Sequence, residues 1–549
     1  MNRVNDTLNL WKEEGSRLIQ PRIDVFRSLI DRANNLVESH QYDAAAVYAE
    51  IAACYTLYQH CGFFVSTKLE HILLTIGQKA IQHSNSIHAN IKLPKKPKNI
   101  LHVATTVSSI GGHSRMICRW IQQDAGRSHS LVLTRQDQKE VPKMMKEAVA
   151  NSQGKIYSLR DSIGHLVSRA KQLRQIAASA DLVVLHTSCE DVVPIIAFAN
   201  KEQSPPIILL NHADHLFWLG VSISDIVANL RESGMYLSQE RRGVETERNV
   251  ILPIILPPIQ RSLTRIEAKN KLGIDKNSIL LLSIARSVKY KSMNGVNFAE
   301  AHIPLLEGHQ QAVLVVIGPG LQEDWSEAIQ RSQGRIIVLG EREDTYDFYQ
   351  AADIYVDSFP FVSNTSLLEA GSYGIPLVSR YPFNSDLCSV LGADMPGLTG
   401  NLIRVKDLEE YTTVLSRLIE DEEFRLSIGE ATRKRIAEIH RESWQQALEN
   451  VYSLAIHVPR VTLPSVSVDE QFLGEPDVFF PYFFEQKNFD IDWLFHTRFG
   501  IMPIGERLHL WIRFVRKYGF SRFTRFSWLT TLFPEWIYIK FKKMLFGYQ

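Results

Sequence analysis

The chain has 549 residues, too many for one hydrophobic core, and at about 150 residues per unit it calls for three or four structural pieces. Hydrophobic residues make up 45% and charged residues 22%, a balance that excludes a disordered chain. Lys plus Arg number 61 against 60 Asp plus Glu, so the net charge of +1 excludes a general electrostatic grip on nucleic acid and leaves only local charge to read.

Residues 1–97 are expected to form a helical domain, because apolar residues recur at three and four positions through Leu18, Ile23, Phe26 and Ile30, then Ala44 to Tyr58, then Leu69 to Ile81. Met1 to Gln20 has no apolar core of a signal peptide, and no stretch reaches the roughly 18 apolar residues of a spanning helix. The expectation is a cytoplasmic chain. Its five cysteines, Cys54, Cys61, Cys118, Cys189 and Cys388, show no metal or disulfide spacing and read as reduced. Lys92-Leu-Pro-Lys-Lys-Pro-Lys98 cannot continue a helix and reads as a linker.

After the linker, short apolar runs alternate with helical stretches, the texture of parallel strands joined by crossover helices. The first series, 98–260, offers strands at Ile100 to Ala104, Ser130 to Leu133, Leu182 to Leu185, Ile207 to Leu210 and Tyr236 to Leu237. A second series, 261–455, offers Ser278 to Ile284, Ala312 to Ile317, Arg335 to Leu339, Ile354 to Val356 and Pro376 to Val378. Pro253, Pro257 and Pro258 mark a hinge between the two. The fold class read from this pattern is α/β with two Rossmann-like domains, expected to face each other across a ligand cleft at the carboxyl ends of their strands. Residues 456–549 form a basic aromatic extension; Arg498 to Gln549 holds ten Lys or Arg against Glu506 and Glu535. Its cations and aromatics suit either an anionic membrane surface or packing on the body.

In the first series, Gly111-Gly112-His113 with Arg115 follows a strand, where paired glycines let backbone N–H groups approach a ligand, or simply make a tight turn. His186 and His212 stand at strand ends, where an imidazole can act on a hydroxyl or sit satisfied in the core. His212-Ala-Asp214-His215 suggests a metal only weakly, since further ligands at recognisable spacing are missing.

The second series carries the sharper signal. Arg286 and Lys291 lie five apart on the loop leaving a strand, a fork and a point charge suited to a diphosphate, although a solvated basic loop would look the same. Downstream come Gly318-Pro-Gly320, Gly340-Glu-Arg342, and Ala352-Asp353-Ile-Tyr-Val-Asp357. Asn364-Thr365-Ser366-Leu367-Leu-Glu369 then precedes Gly374-Ile-Pro376. A helix starting near Thr365 presents free N–H groups to an anion. Ser366 and Glu369 also have the spacing of a capping box, in which Glu369 would merely return to the helix start.

This order of parts resembles the donor-binding half of the family-4-like, retaining GT-B glycosyltransferases, with Ala285 in place of a usual glycine. The resemblance covers about residues 98–450. It implies a GT-B fold and transfer of a sugar from a nucleotide-sugar donor to a glycan, lipid-linked or protein acceptor, with no metal ion required. By it Arg286 and Lys291 would bind the diphosphate, Thr365 and Ser366 would cradle the distal phosphate, and Glu369 would hold the ribose. Gly111, Gly112, His113, Gly318, Gly340, Arg342, Asn364 and Leu367 would complete donor binding, and His212 would contact the transferred sugar. Phe361 stands where the family usually has a second Glu, and Asp357-Ser-Phe-Pro is similar to the inverting O-GlcNAc-transferase-type enzymes. A scaffold that keeps the fold without catalysis, and an epimerase of the same fold, are the rival expectations.

Overall fold

The computed structural model describes residues 2–81, 96–109, 112–160, 163–259, 261–292, 295–342, 344–381, 392–460, 489–519, 534 and 537, with side chains from residue 9 onward. The strands are β1 Asn99–Ala104, β2 Ser128–Leu133, β3 Ile156–Ser158, β4 Leu182–His186, β5 Ile207–Asn211, β6 Ile226–Asn229 and β7 Asn249–Ile251 in one sheet. β8 Ile279–Ile284, β9 Ala312–Gly318, β10 Ile336–Gly340, β11 Ile354–Val356, β12 Leu377–Arg380 and β13 Leu402–Val405 form the other. The orders are β3-β2-β1-β4-β5-β6-β7 and β10-β9-β8-β11-β12-β13, both Rossmann-like. Strands such as β4 and β5 are buried along their whole length, which explains their continuous Val, Leu and Ile runs. The α/β class with two Rossmann-like sheets after an N-terminal helical region is therefore the observed architecture.

The chain groups into two compact units. One holds Lys12–Asn229, Gly234–Val250 and Glu449–Gln549; the other holds Met1–Trp11, Leu230–Ser233 and Ile251–Leu448.

In the first unit the helices Asn2–Glu38, Tyr42–Tyr58 and Thr67–Ala80 contribute to one continuous buried cluster with the sheet and with the helices Ile491–Thr497 and Ile504–Tyr518. Everything from Ala44 to Thr56 is buried, and the many small residues of that stretch let neighbouring elements approach closely. The buried Glu70 carboxylate accepts the N–H groups of Gly220, Val221 and Ser222 at 2.5, 3.1 and 2.7 Å, tying Thr67–Ala80 to the loop before β6. Arg498, the first cation of the Arg498 to Gln549 run, is drawn inward to Glu50 at 2.5 Å, and Glu50 also meets Arg135 at 2.9 Å. Phe499, Leu510 and Phe514 are buried in the same cluster, while Arg513 and Lys517 pair with Asp492 at 3.2 and 2.5 Å. The part of the extension described here thus packs its aromatics on the body. The aromatic run Phe479 to Phe484 and the residues Trp528, Trp536, Lys540, Phe541, Lys542 and Lys543 lie outside the described residues. Cys54, Cys61, Cys118 and Cys189 are free and buried, and Cys388 lies outside. Among the described residues no helix is long and apolar enough to cross a membrane.

Four strands differ from expectation. Tyr236 and Leu237 belong to the helix Glu232–Arg242, and the strand lies earlier, at Ile226–Asn229. Gly234 carries that helix against Asp214, whose carboxylate oxygen would lie 2.6 Å from an added Cβ. β3, β7 and β13, of three or four residues, are too short for a period to show.

In the second unit the helix Glu422–Ala437 lies on Asn364–Ser372 through glycines. A Cβ on Gly371 would meet Ile436 Cδ1 at 2.5 Å, and one on Gly429 would meet the Gly374 carbonyl oxygen at 2.1 Å. His440 hydrogen-bonds the carbonyls of Ile254 and Pro396 at 2.8 and 2.6 Å, and Trp444 Nε1 donates to Pro253 at 2.9 Å. The proline segment read as a hinge is thereby fixed to this unit's own helices.

Candidate functional site

The loop leaving β8 carries Arg286 to Lys291, and backbone contacts lace it to the segment before the helix Asn364–Ser372. Lys291 N–H donates to Phe359 O at 3.2 Å, Phe361 N–H to Lys289 O at 3.4 Å, and Tyr290 bridges Pro360. Two loops distant in sequence are thus held side by side at the carboxyl ends of adjacent strands, β8 and β11. Asp357 staples the second loop from within: its carboxylate accepts Ser358 N–H and Ser363 N–H, both at 2.9 Å, and Ser379 O–H at 3.0 Å. Burial raises its pKa to about 6 against those hydrogen bonds and the pull of Lys289.

Arg286 and Lys291 are exposed and make no ion pair among the described residues. Lys289, not singled out in the sequence, turns inward instead and donates Nζ–H to Val362 O at 2.8 Å. Burial lowers its pKa, Asp357 opposes this, and Arg231 and Arg286 lower it further. Arg231 is likewise absent from the sequence reading; it meets the Gly392 carbonyl at 2.6 Å and Asp394 at 3.3 Å. An excess of positive charge therefore gathers beside the start of Asn364–Ser372.

That helix starts one turn earlier than the capping-box spacing requires. Ser363 is the N-cap, its side chain makes no capping bond to the backbone, and its O–H instead donates to Ser366 Oγ at 3.1 Å. Glu369 consequently lies inside the helix and does not return to its start; Tyr349 O–H donates to its Oε2 at 3.3 Å. Thr365 and Ser366 sit half-buried in the first turn, as does Asn364, whose Nδ2 donates to Gly392 O at 3.3 Å. Leu367 corrects the expected donor set: its side chain is wholly buried and its N–H already donates to Ser363 O at 2.9 Å. Arg342 is also engaged locally, in a bidentate pair with Asp344 at 2.7 and 2.6 Å. Phe361, at the position of the family's second Glu, is 3% exposed and offers no polar side-chain group.

Gly318 has a steric role. Its φ is +114°, and an added Cβ would lie 2.0 Å from the carbonyl oxygen of Ala285, the residue that launches the Arg286 loop. Gly318→Ala is expected to destabilise by about 2–3 kcal/mol. Gly340 has nothing within 4 Å of a built Cβ, so Gly340→Ala should stay within about 0.5 kcal/mol. Urea titrations of the two variants check this, and equal effects would contradict the assigned contact.

In the other unit, Gly112 opens the helix Gly112–Gln123 and places His113 against His212, their rings stacked at 4.0 Å and 19°. Gly111 lies outside the described residues. His186, at the end of β4, is the last of a hydrogen-bonded imidazole row: His129 Nδ1 to His102 Nε2 at 2.9 Å, and His102 Nδ1 to His186 Nε2 at 2.9 Å. The row begins at Asp124, whose backbone oxygen lies 3.1 Å from His129 Nε2. Burial depresses the pKa values of His102, His113, His186 and His212, so these rings are neutral near pH 7. His215 turns to Asp214 at 3.3 Å and does not converge with His212. Arg242 fixes this segment through the carbonyls of Asp214 and Leu216, both at 2.7 Å, and through the Trp218 ring at 4.7 Å.

Residues 264–435 match the model of the family described as glycosyl transferases group 1. A curated relative, D-inositol 3-phosphate glycosyltransferase of Thermobifida fusca (strain YX), is 27% identical over 218 residues, 37% of this chain and 48% of the relative. The match thus spans about half of that relative's length. Among solved structures, an O-GlcNAc transferase of Thermobaculum terrenum aligns over 78% of this chain and 84% of its own at 14% identity and a TM-score of 0.47. HepE of Anabaena, in complex with UDP and glucose, aligns over 65% and 100% at 15% identity and a TM-score of 0.48.

Proposed function

We propose, on the premise that residues 264–435 belong to the glycosyl transferases group 1 family, that this chain transfers a sugar from a nucleoside-diphosphate sugar to a hydroxyl of a glycan, lipid-linked glycan or protein. The observation that carries the reading is the gathering of Arg286, Lys289 and Arg231 beside the open first turn of Asn364–Ser372. In that arrangement the helix N–H groups and the guanidinium fork receive the diphosphate, and Lys291 adds a point charge. As the bond from the sugar's anomeric carbon to the distal phosphate oxygen breaks, these cations stabilise the charge developing on the leaving diphosphate. The acceptor oxygen forms the new bond and passes its proton to the departing diphosphate. Glu369, steadied by Tyr349, accepts the ribose hydroxyls. In the other unit, neutral His113 and His212 are groups able to hydrogen-bond a hydroxyl.

The protein cations provide the countercharge that a divalent ion would otherwise supply, so metal independence is part of the proposal, as is retention of anomeric configuration. A thermal-shift panel of UDP, GDP, ADP and their sugars tests the reading, run with and without EDTA. At least one ligand should raise the melting temperature by several degrees and be indifferent to EDTA. Glu369→Gln should weaken the active nucleotide roughly ten-fold and leave the preference among bases intact. If no ligand shifts the melt, the scaffold reading replaces this one.

A further inference from the structure

A cavity of about 450 Å³ lies in the unit that holds the Arg286 loop, but at the other end of its sheet. The sheet's strands run parallel, so the turn Tyr373–Gly374, which leads into β12, sits opposite the loop that leaves β8. The cavity is walled by that turn, by Arg261 and Arg265 at the start of the unit's first helix, and by the outer face of Glu422–Ala437. Among the described residues, four guanidinium groups line it, those of Arg261, Arg265, Arg433 and Arg441, against one carboxylate, Glu430.

The charge is not neutralised locally. Arg261 is held by two backbone carbonyls, Gln350 O at 3.2 Å and Tyr373 O at 2.8 Å, which orient the group without cancelling its charge. Arg265 Nε lies 3.3 Å from Asp353 Oδ1, but Lys269 takes the other oxygen of that carboxylate at 2.6 Å. Arg433 pairs with Glu430 at 2.8 and 2.6 Å. Arg441 makes no ion pair among the described residues. Burial and then Arg265 push the pKa of Arg261 down, as crowded like charges do. Leu426 and the Tyr373 ring add apolar wall to this basic rim.

We propose that this cavity is a binding site for a phosphorylated small molecule carrying at least two negative charges, distinct from the site at the Arg286 loop and coupled to it. Planar guanidinium forks converging from three segments match phosphate oxygens better than single point charges would. The volume lies within the range of small-ligand pockets, about 300–1,000 Å³. The coupling runs through two rings: Tyr373 stacks on Tyr349 at 5.5 Å and 15°, and Tyr349 O–H donates to Glu369. Arg261 grips the carbonyls of both Gln350 and Tyr373, so a ligand drawing on Arg261 loads the helix that bears Tyr349. Only this coupling rests on the nucleotide-sugar reading; the cavity's occupancy does not.

The test is calorimetric titration of the full chain with inorganic pyrophosphate. The parent, an Arg286→Ala/Lys291→Ala loop variant, which lacks the other diphosphate-receiving cations, and that loop variant carrying Arg433→Ala/Arg441→Ala as well are compared, with melting temperatures confirming that all three fold. Pyrophosphate should bind the loop variant, and should bind the loop variant with Arg433→Ala/Arg441→Ala at least ten-fold more weakly. Absence of binding in the loop variant, or equal affinity after Arg433→Ala/Arg441→Ala, overturns the site. Saturating pyrophosphate should also change the affinity of the parent for its nucleoside diphosphate at least three-fold, and both Arg433→Ala/Arg441→Ala and Tyr349→Phe should abolish that change; a change that survives them is competition at the loop and overturns the coupling. An unchanged affinity overturns the coupling. Failure of every nucleotide in the thermal panel bears on the nucleotide-sugar reading alone.

Discussion

Arg286→Ala and Lys291→Ala are each expected to weaken binding of the preferred nucleoside diphosphate by roughly thirty-fold, about 2 kcal/mol, the usual worth of a hydrogen bond to a charged group. The loss in turnover should be larger, roughly 10²- to 10³-fold, because charge on the leaving diphosphate grows as the glycosidic bond breaks and the countercharge is then most needed. Neither change should alter stability beyond about 0.5 kcal/mol, since both side chains are exposed and unpaired among the described residues. This separates them from Lys289, whose ammonium is bonded to Val362 and whose removal strips a hydrogen bond from the loop itself. Isothermal titration with the nucleotide chosen by the thermal panel, followed by donor hydrolysis or transfer rates, measures both effects. A Lys291→Ala protein that binds and turns over within two-fold of the parent would remove the basis of the proposed site.

Much of this site was legible because its chemistry is local in sequence. Arg286 and Lys291 share one loop, and Asn364 to Glu369 share one helix, so spacing alone brings each set together. What spacing could not show is how the two sets meet. That depends on β8 and β11 being neighbours, on Tyr290 bridging Pro360, and on Asp357 drawing two N–H groups inward. Lys289 looked like one more solvated cation; only burial beside Val362 reveals it. Arg231 lies more than fifty residues before the loop and in a run with no motif, so no sequence signal marks it. The cap reading of Ser366 and Glu369 failed for a related reason, because tertiary bonds to Asp357 move the helix start back to Ser363.

The fold divides similarly. Buried strands declared themselves as apolar runs, and all five expected in the second sheet lie within a residue or two of expectation. The short strands β3, β7 and β13 are stabilised by neighbours rather than by their own pattern. A texture change in the sequence falls at Lys92 to Lys98. It does not bound the buried cluster, because helix Thr67–Ala80 gives its Glu70 to the loop before β6 and Arg498 returns from the far end of the chain to Glu50. Contacts across four hundred residues leave no periodic trace.

Acidification is expected to unfold the unit containing Lys12–Asn229 sharply. His102, His113, His186 and His212 are buried there, and burial holds each pKa below the ordinary value near 6.5. In the unfolded chain those rings titrate near 6.5, so below that pH the unfolded state binds more protons than the folded one. Stability is therefore complete above about pH 6.5 and is lost progressively as pH falls toward the depressed folded values. A ring that stays neutral in the folded state contributes at most about 1.4 kcal/mol per pH unit once its unfolded form is charged, which is a sizeable share of a typical reserve of about 5–15 kcal/mol. In the other unit Asp357 opposes the trend, because its pKa, raised to about 6, makes protonation favour the folded state there. Melting curves from pH 8 to 5 should show a steep fall beginning near 6.5. His102→Asn, which removes the middle ring of the row, should lower stability at pH 8 and flatten the pH slope by about one proton. A melting temperature constant down to pH 5.5 would mean that His102, His113, His186 and His212 are reached by water and are not held neutral by burial.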